Sequence, residues 1–152
     1  MQQKILIFAV LTLLCFSFTA SALAQQGMNW KGSGGWGAQA PYARMYNPQS
    51  VETVNGEVVS IEKIIPMQGM NYGMHLTLQT ETETISVHLG PAWYLENQDV
   101  QIAAADKIEI KGSRVTLDGK PVLIAAELKK GDKVLVLRDA GGFPVWSGWR
   151  RR

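Results

Sequence analysis

The sequence predicts an all-β fold. From about residue 51 onward apolar side chains recur at a period of two, turn residues separate the runs, and Asp118-Gly119 lies between two runs as a strong hairpin signal. In chain order the elements are a long strand over 51–65, a hairpin of strands 74–80 and 84–90, a short helix opening at Pro91, and a second hairpin of strands 107–117 and 121–128. Five strands with the helix between the third and fourth is the OB-fold order. The expected architecture is therefore an OB-fold-like five-stranded barrel over 51–130, with a plain β-sandwich as the competing arrangement. Closure would remove most of the exposed edges of a small sheet.

Each element has its local reason. Val54, Val58, Val59, Ile61 and Ile64 mark the first strand, and Gly56 interrupts it as a bend or bulge would. Residues 66–73 read as a loop rich in Gly and Met. Leu76 and Leu78, then Ile85, Val87 and Leu89, alternate with polar residues on either side of a Thr- and Glu-rich turn. Gly90-Pro91 ends that hairpin, and Trp93, Tyr94 and Leu95 suit a short helix. Lys133 to Leu137 and Phe143 to Trp149, around Ala140-Gly141-Gly142, predict an extra C-terminal hairpin, so 131–152 reads as that hairpin plus a basic tail. Residues 25–50 are rich in Gly and aromatic side chains without periodicity, and read as an extended arm. Gly32 to Gly37 spells GxGxxG, but no strand precedes it and no amphipathic helix follows, so it is not a dinucleotide loop.

Residues 1–24 read as a secretory signal: Lys4 is the positive start, Ile5 to Phe18 the apolar run, and Ala22-Leu23-Ala24 the small-x-small cleavage site. Export to a periplasm is the expectation. The single cysteine, Cys15, lies inside that run, so the exported chain has no disulfide, no thiolate nucleophile and no CxxCH haem attachment. The whole chain has 15 basic and 13 acidic residues. Setting aside the signal and the terminal Arg150, Arg151 and Arg152 leaves 11 basic against 13 acidic, a balance that disfavours a nucleic-acid ligand. The three arginines offer a weak contact to anionic lipid.

The central hairpin permits a sharper inference. Its apolar residues share a face only if Leu78 pairs with Ile85 and Leu76 with Val87, because a slip of one residue turns one set to water. That register places His75 opposite His88, Thr77 opposite Ser86 and Gln79 opposite Thr84, with directly opposed Cβ atoms about 4.5–5.5 Å apart. The two histidines are then expected on the polar, solvent-facing side of strands 2 and 3, the usual ligand side of an OB barrel. Met67 and Met70 lie in the adjoining loop. Imidazole and thioether are ligands for soft ions, so His75, His88, Met67 and Met70 make a candidate Cu(I) or Ag(I) site. On the same reading His88→Ala should abolish metal binding and leave folding intact. Tyr72, Thr77, Ser86, Trp93, Lys111 and Arg114 complete a candidate binding surface. Thr77 and Ser86 flank the histidines, Tyr72 and Trp93 offer stacking faces, and Lys111 and Arg114 offer charge.

The stretches 54–62, 73–78, 85–94 (Ile-Ser-Val-His-Leu-Gly-Pro-Ala-Trp-Tyr), 111–121, 137–139 and 144–149 together resemble small exported bacterial proteins often labelled DNA-binding, and the domain shared by the magnetosome-associated proteins MamS and MamX. The similarity covers most of 42–152, and His-Leu-Gly-Pro-x-Trp is its most specific part. The resemblance implies an OB-like barrel without established catalytic residues and a link to metal or redox handling in the envelope. The CxxCH haem motif of cytochrome members is absent here. A looser similarity to periplasmic copper and silver chaperones of OB fold points to the same metal chemistry.

No GxSxG, HExxH or P-loop is present, so an enzyme is not expected. The overall expectation is an exported, non-enzymatic binding module with an envelope protein as partner. Trp and Arg are enriched at binding hot spots, which makes the two Trp-rich ends candidate contact surfaces. Soft-metal binding and DNA binding are the alternatives.

Overall fold

The computed structural model describes residues 33–148. The expected signal at 1–24, the first part of the arm, Trp149 and the arginine tail lie outside the described residues.

The fold is all-β, as the alternation predicts. Strands β1 (Val51–Ile64), β2 (Gly73–Gln79), β3 (Thr84–Pro91), β4 (Lys107–Leu117), β5 (Lys120–Lys130) and β6 (Lys133–Val136) are joined by one short helix, α1 (Ala92–Leu95), between β3 and β4. They form one sheet in the order β3-β2-β1-β4-β5-β6 with antiparallel neighbours, and β3 also pairs with β5 in parallel. The pairings β1–β2, β2–β3, β3–β5, β5–β4 and β4–β1 therefore run in a ring.

The long strand β1 makes the ring possible by serving two partners. Its first half pairs with β4 from Val51 to Glu57, and its second half pairs with β2 from Glu57 to Ile64. The break in register falls between Val58 and Ser60, so the extra residue is Val59, which is exposed. Gly56 has a different role from the bulge expected of it. It lets β2 approach closely: a Cβ there would lie 2.5 Å from the Gln79 carbonyl oxygen. The Asp118-Gly119 turn takes positive φ at both residues, 50° and 75°, the geometry that matches the right-handed twist of a two-residue hairpin.

Inside the ring the core is apolar: Val58, Leu76, Leu78, Ile85, Val87, Leu89, Ile108, Ile110, Leu123 and Leu128 are buried. β3 and β5 are unusual because they are buried on both faces. Every residue from Ile85 to Pro91 except Ser86, and every residue from Val122 to Ala126, is buried. Something must cover their outer side.

Two segments do so, and both correct an expectation. Residues 33–50 are not an extended arm. They carry two 3₁₀ turns, Ala43–Met45 and Pro48–Ser50, and bury Trp36, Tyr42 and Tyr46 in the core cluster. The expected C-terminal hairpin is reduced to β6, which pairs with β5, a single bridge between Arg138 and Pro144, and a 3₁₀ turn at Val145–Gly148. Pro144 has no N–H to extend a ladder, and the Asp139 carboxylate instead accepts from the amides of Gly141 and Phe143, each at 2.9 Å, closing a tight loop. The amides of Leu137 and Arg138 both donate to the Ala126 carbonyl, at 2.8 and 3.0 Å. That irregularity turns both consecutive side chains inward, and both are buried.

Candidate functional site

The register argument for the central hairpin is met in full. His75 pairs with His88, Thr77 with Ser86, Leu76 with Val87, Leu78 with Ile85 and Gln79 with Thr84. The imidazoles stack with centroids 3.6 Å apart and planes 27° apart.

Their exposure is the opposite of that expected. His75 and His88 are 3% and 2% exposed. Alternation places Gly73, His75 and Thr77 on one side of β2, and the register sets Ser86 and His88 of β3 beside Thr77 and His75; an irregularity at Leu89 follows, before Gly90. The two glycines are notches for the covering rings. A Cβ on Gly73 would lie 2.6 Å from Cη2 of Trp36, and one on Gly90 would lie 2.8 Å from Cη2 of Trp146. Trp36 meets Tyr42 edge-on at 5.0 Å and Trp146 at 6.3 Å. Polar tips are satisfied within this layer: Trp36 Nε1 donates to the Asn71 carbonyl at 3.0 Å, Trp146 Nε1 to the Trp36 carbonyl at 2.7 Å, and the Tyr42 hydroxyl lies 2.8 Å from His88 Nδ1. The histidines therefore form the floor of a buried aromatic layer between the sheet and residues 33–46.

Arg138 is the cation of this layer. It is 5% exposed, and its Nη1 donates to the carbonyls of Leu89 and Ala125. The guanidinium carbon lies 4.8 Å from the Trp146 ring centroid. No carboxylate pairs with it among the described residues; backbone oxygens and a ring face take that place. Burial lowers the Arg138 pKa to about 10. Burial also lowers His88 to about 4, with Arg138 adding repulsion, and lowers His75 to about 3, with His88 adding repulsion. Burial raises the Tyr42 hydroxyl well above the phenol range, partly offset by Arg138. At neutral pH both imidazoles are neutral. Neither ring nitrogen of His75 has a hydrogen-bond partner, a costly state for a buried polar group.

The remaining candidates scatter. Met70 is buried in the core cluster and Met67 packs on its edge. Stacked imidazoles do not chelate one ion between them, because each lone pair lies in its own ring plane. A shared ion at about 2.0–2.1 Å would require one ring to turn out of the stack. Arg114, on β4, is held by Glu52 (Nε to Oε1 2.8 Å) and by Glu83 (Nη1 to Oε2 3.2 Å), so its charge is already matched within the fold. Lys111 is exposed on the same strand, while Thr77 and Ser86 are half-buried.

Tyr72 and Trp93 lie on adjoining segments. The amide of Ala92 donates to the Tyr72 carbonyl at 3.0 Å, which sets the loop before β2 against α1. Ile64 pairs with Gly73, and Lys63 forms an ion pair with Glu96, so the end of β1 adjoins the same place. Tyr72 is 57% exposed, Ile65 49% and Ile64 37%, and Trp93 is half-buried. Sequence reading missed Ile64 and Ile65 as surface residues, and missed Trp36, Tyr42, Arg138 and Trp146 as the cover. The patterns Gly73-x-His75 and His88-x-Gly90 are the signal that would have found the cover, since a glycine two residues from each histidine makes room for rings.

These features define a class: an all-β fold with one six-stranded sheet, whose outer face over β2, β3 and β5 is closed by the segments before β1 and after β6. Residues 50–135 match the MamS/MamX magnetosome protein family, and the chain belongs to that family. No curated protein matches the chain. No helix among the described residues is long and apolar enough to cross a membrane.

Proposed function

We propose that the chain is a non-enzymatic, exported binding module of the envelope, an OB-fold-like barrel that docks a protein partner through the patch formed by Ile64, Ile65, Tyr72 and Trp93. The ring of strand pairings with a helix between β3 and β4 supports the OB-like reading. The observation that carries the function is the exposure of Ile64, Ile65 and Tyr72 at the two ends of the loop between β1 and β2, one of the loops such barrels use for recognition. Aromatic and branched apolar side chains at the centre of a patch, with a polar rim, are what a protein interface requires. Lys63 and Glu96 supply that rim.

The two alternatives fit less well. A single-stranded nucleic acid needs an open face with stacking rings and free cations, whereas here the β2–β3 face is covered and Arg114 is neutralised by Glu52 and Glu83. A soft ion at His75 and His88 needs a ring to leave the stack, next to the Arg138 charge.

The test is the paired substitution Ile65→Asp and Tyr72→Ala, compared with the native chain in affinity capture from the producing cell's envelope fraction. Loss of a reproducible partner with an unchanged melting temperature supports the reading. Retention of the same partner by the double variant removes the patch from consideration.

A further inference from the structure

The buried histidine pair is a costly arrangement, and it lies where residues 33–46 grip the sheet. Two neutral imidazoles are stacked at 3.6 Å, one of them without a hydrogen-bond partner on either nitrogen. Among the described residues, the polar contact that the covering segment makes to the pair is the Tyr42 hydroxyl on His88 Nδ1. We propose that residues 33–46 form an acid-releasable strap: protonation of His75 and His88 detaches Trp36 and Tyr42 from the β2–β3 face while the barrel beneath stays folded.

The groups around the pair support release. From the strap come Tyr42, which is neutral, and the exposed Arg44; Tyr46 lies nearer Arg138. From the segment after β6 comes the Arg138 guanidinium, which repels a charged His88, while Asp139 is tied to its own loop amides. From β1 comes Glu62, the register partner of His75; its side chain is exposed. β5 places Ile124 beside His88 and has no titratable side chain from Val122 to Ala126. A proton on His75 thus faces the second imidazole and one on His88 the guanidinium, with one solvated carboxylate at the margin. Water is the better environment, and lifting the strap supplies it.

The barrel beneath is held by different groups. Its interior core residues are aliphatic, and the acids that hold its surface, Glu83 with Arg114 and Asp106 with Lys130, have pKa values lowered by those hydrogen bonds. Those hydrogen bonds favour the ionised carboxylates. A histidine with an ordinary pKa near 6.5 when released, and one of about 3 or about 4 when covered, multiplies the open population by up to about a hundredfold at about pH 4.5.

The proposal does not depend on the partner patch, which lies on uncovered residues, so either reading can fail alone. The test is hydrogen exchange followed by mass spectrometry on the chain at about pH 7.5 and about pH 4.5, with protection factors corrected for the intrinsic pH dependence of exchange. We expect protection over residues 33–46 to fall at least about tenfold more than over 107–130, and His75→Phe/His88→Phe to abolish that selective loss. His75→Phe alone, which keeps the Tyr42 contact, should reduce it. Equal protection at both pH values, loss of protection in 33–46 and 107–130 together, or selective opening that persists undiminished in both variants would each overturn the strap.

Discussion

At the scale of single residues, burial decides what the two histidines can do. His88 touches Tyr42 through a 2.8 Å hydrogen bond and His75 through a 3.6 Å ring stack. Truncation removes both contacts and leaves a cavity under Tyr42. His88→Ala should therefore destabilise the fold by about 2–4 kcal/mol, read from chemical denaturation, where a surface histidine would cost almost nothing. The pairing of these residues was legible in the sequence because a strand has a period of two and the leucines had to share a face. Their burial was not legible. The rings that cover them, Trp36, Tyr42 and Trp146, come from segments distant in sequence and without periodicity. Arg138 was equally hidden: its inward turn depends on two successive amides sharing the Ala126 carbonyl, which no composition reveals.

At the scale of elements, turn chemistry explains what formed and what did not. Asp118-Gly119 makes the hairpin because both residues accept positive φ. The Ala140-Gly141-Gly142 segment does not open a second strand pair, because Asp139 ties up the amides of Gly141 and Phe143 and Pro144 ends the ladder. One loop carries avoidable strain. Ala105, before β4, sits at φ 71°, a region that costs a side chain about 1–2 kcal/mol. Its amide still donates to the Val58 carbonyl at 2.7 Å, and the side chain is exposed. Ala105→Gly should raise stability by up to about 1 kcal/mol, seen as a higher urea midpoint with an unchanged slope. The β1 irregularity was expected at Gly56 and occurs at Val59; a glycine signals close approach as readily as a bulge, and here it admits the Gln79 carbonyl.

At the scale of the whole molecule, the strand order and the helix position were readable because each element carried its own alternation and turn signals. The closure of the outer face was not, since it is a property of how the ends return to the sheet. That closure makes stability depend on pH. Both histidine pKa values are lower in the folded chain, to about 3 and about 4, so the unfolded chain binds protons first as the medium acidifies. The stability they contribute is complete above about pH 6.5 and is lost as pH falls toward about 4 and about 3. Denaturant midpoints measured from about pH 7.5 to about pH 4.5 should decline over that window, and His75→Phe/His88→Phe should flatten the decline.

The proposed function assigns recognition to the uncovered loop between β1 and β2. The most direct measurement of this account is site-specific photocrosslinking in the intact producing cell, with the photoreactive residue placed in turn at Ile65, Tyr72, Lys111 and Thr116. Adducts to a protein partner from Ile65 and Tyr72, with none from the β4 positions, are the predicted result. Adducts from Lys111 and Thr116 with none from Ile65 and Tyr72 would contradict it.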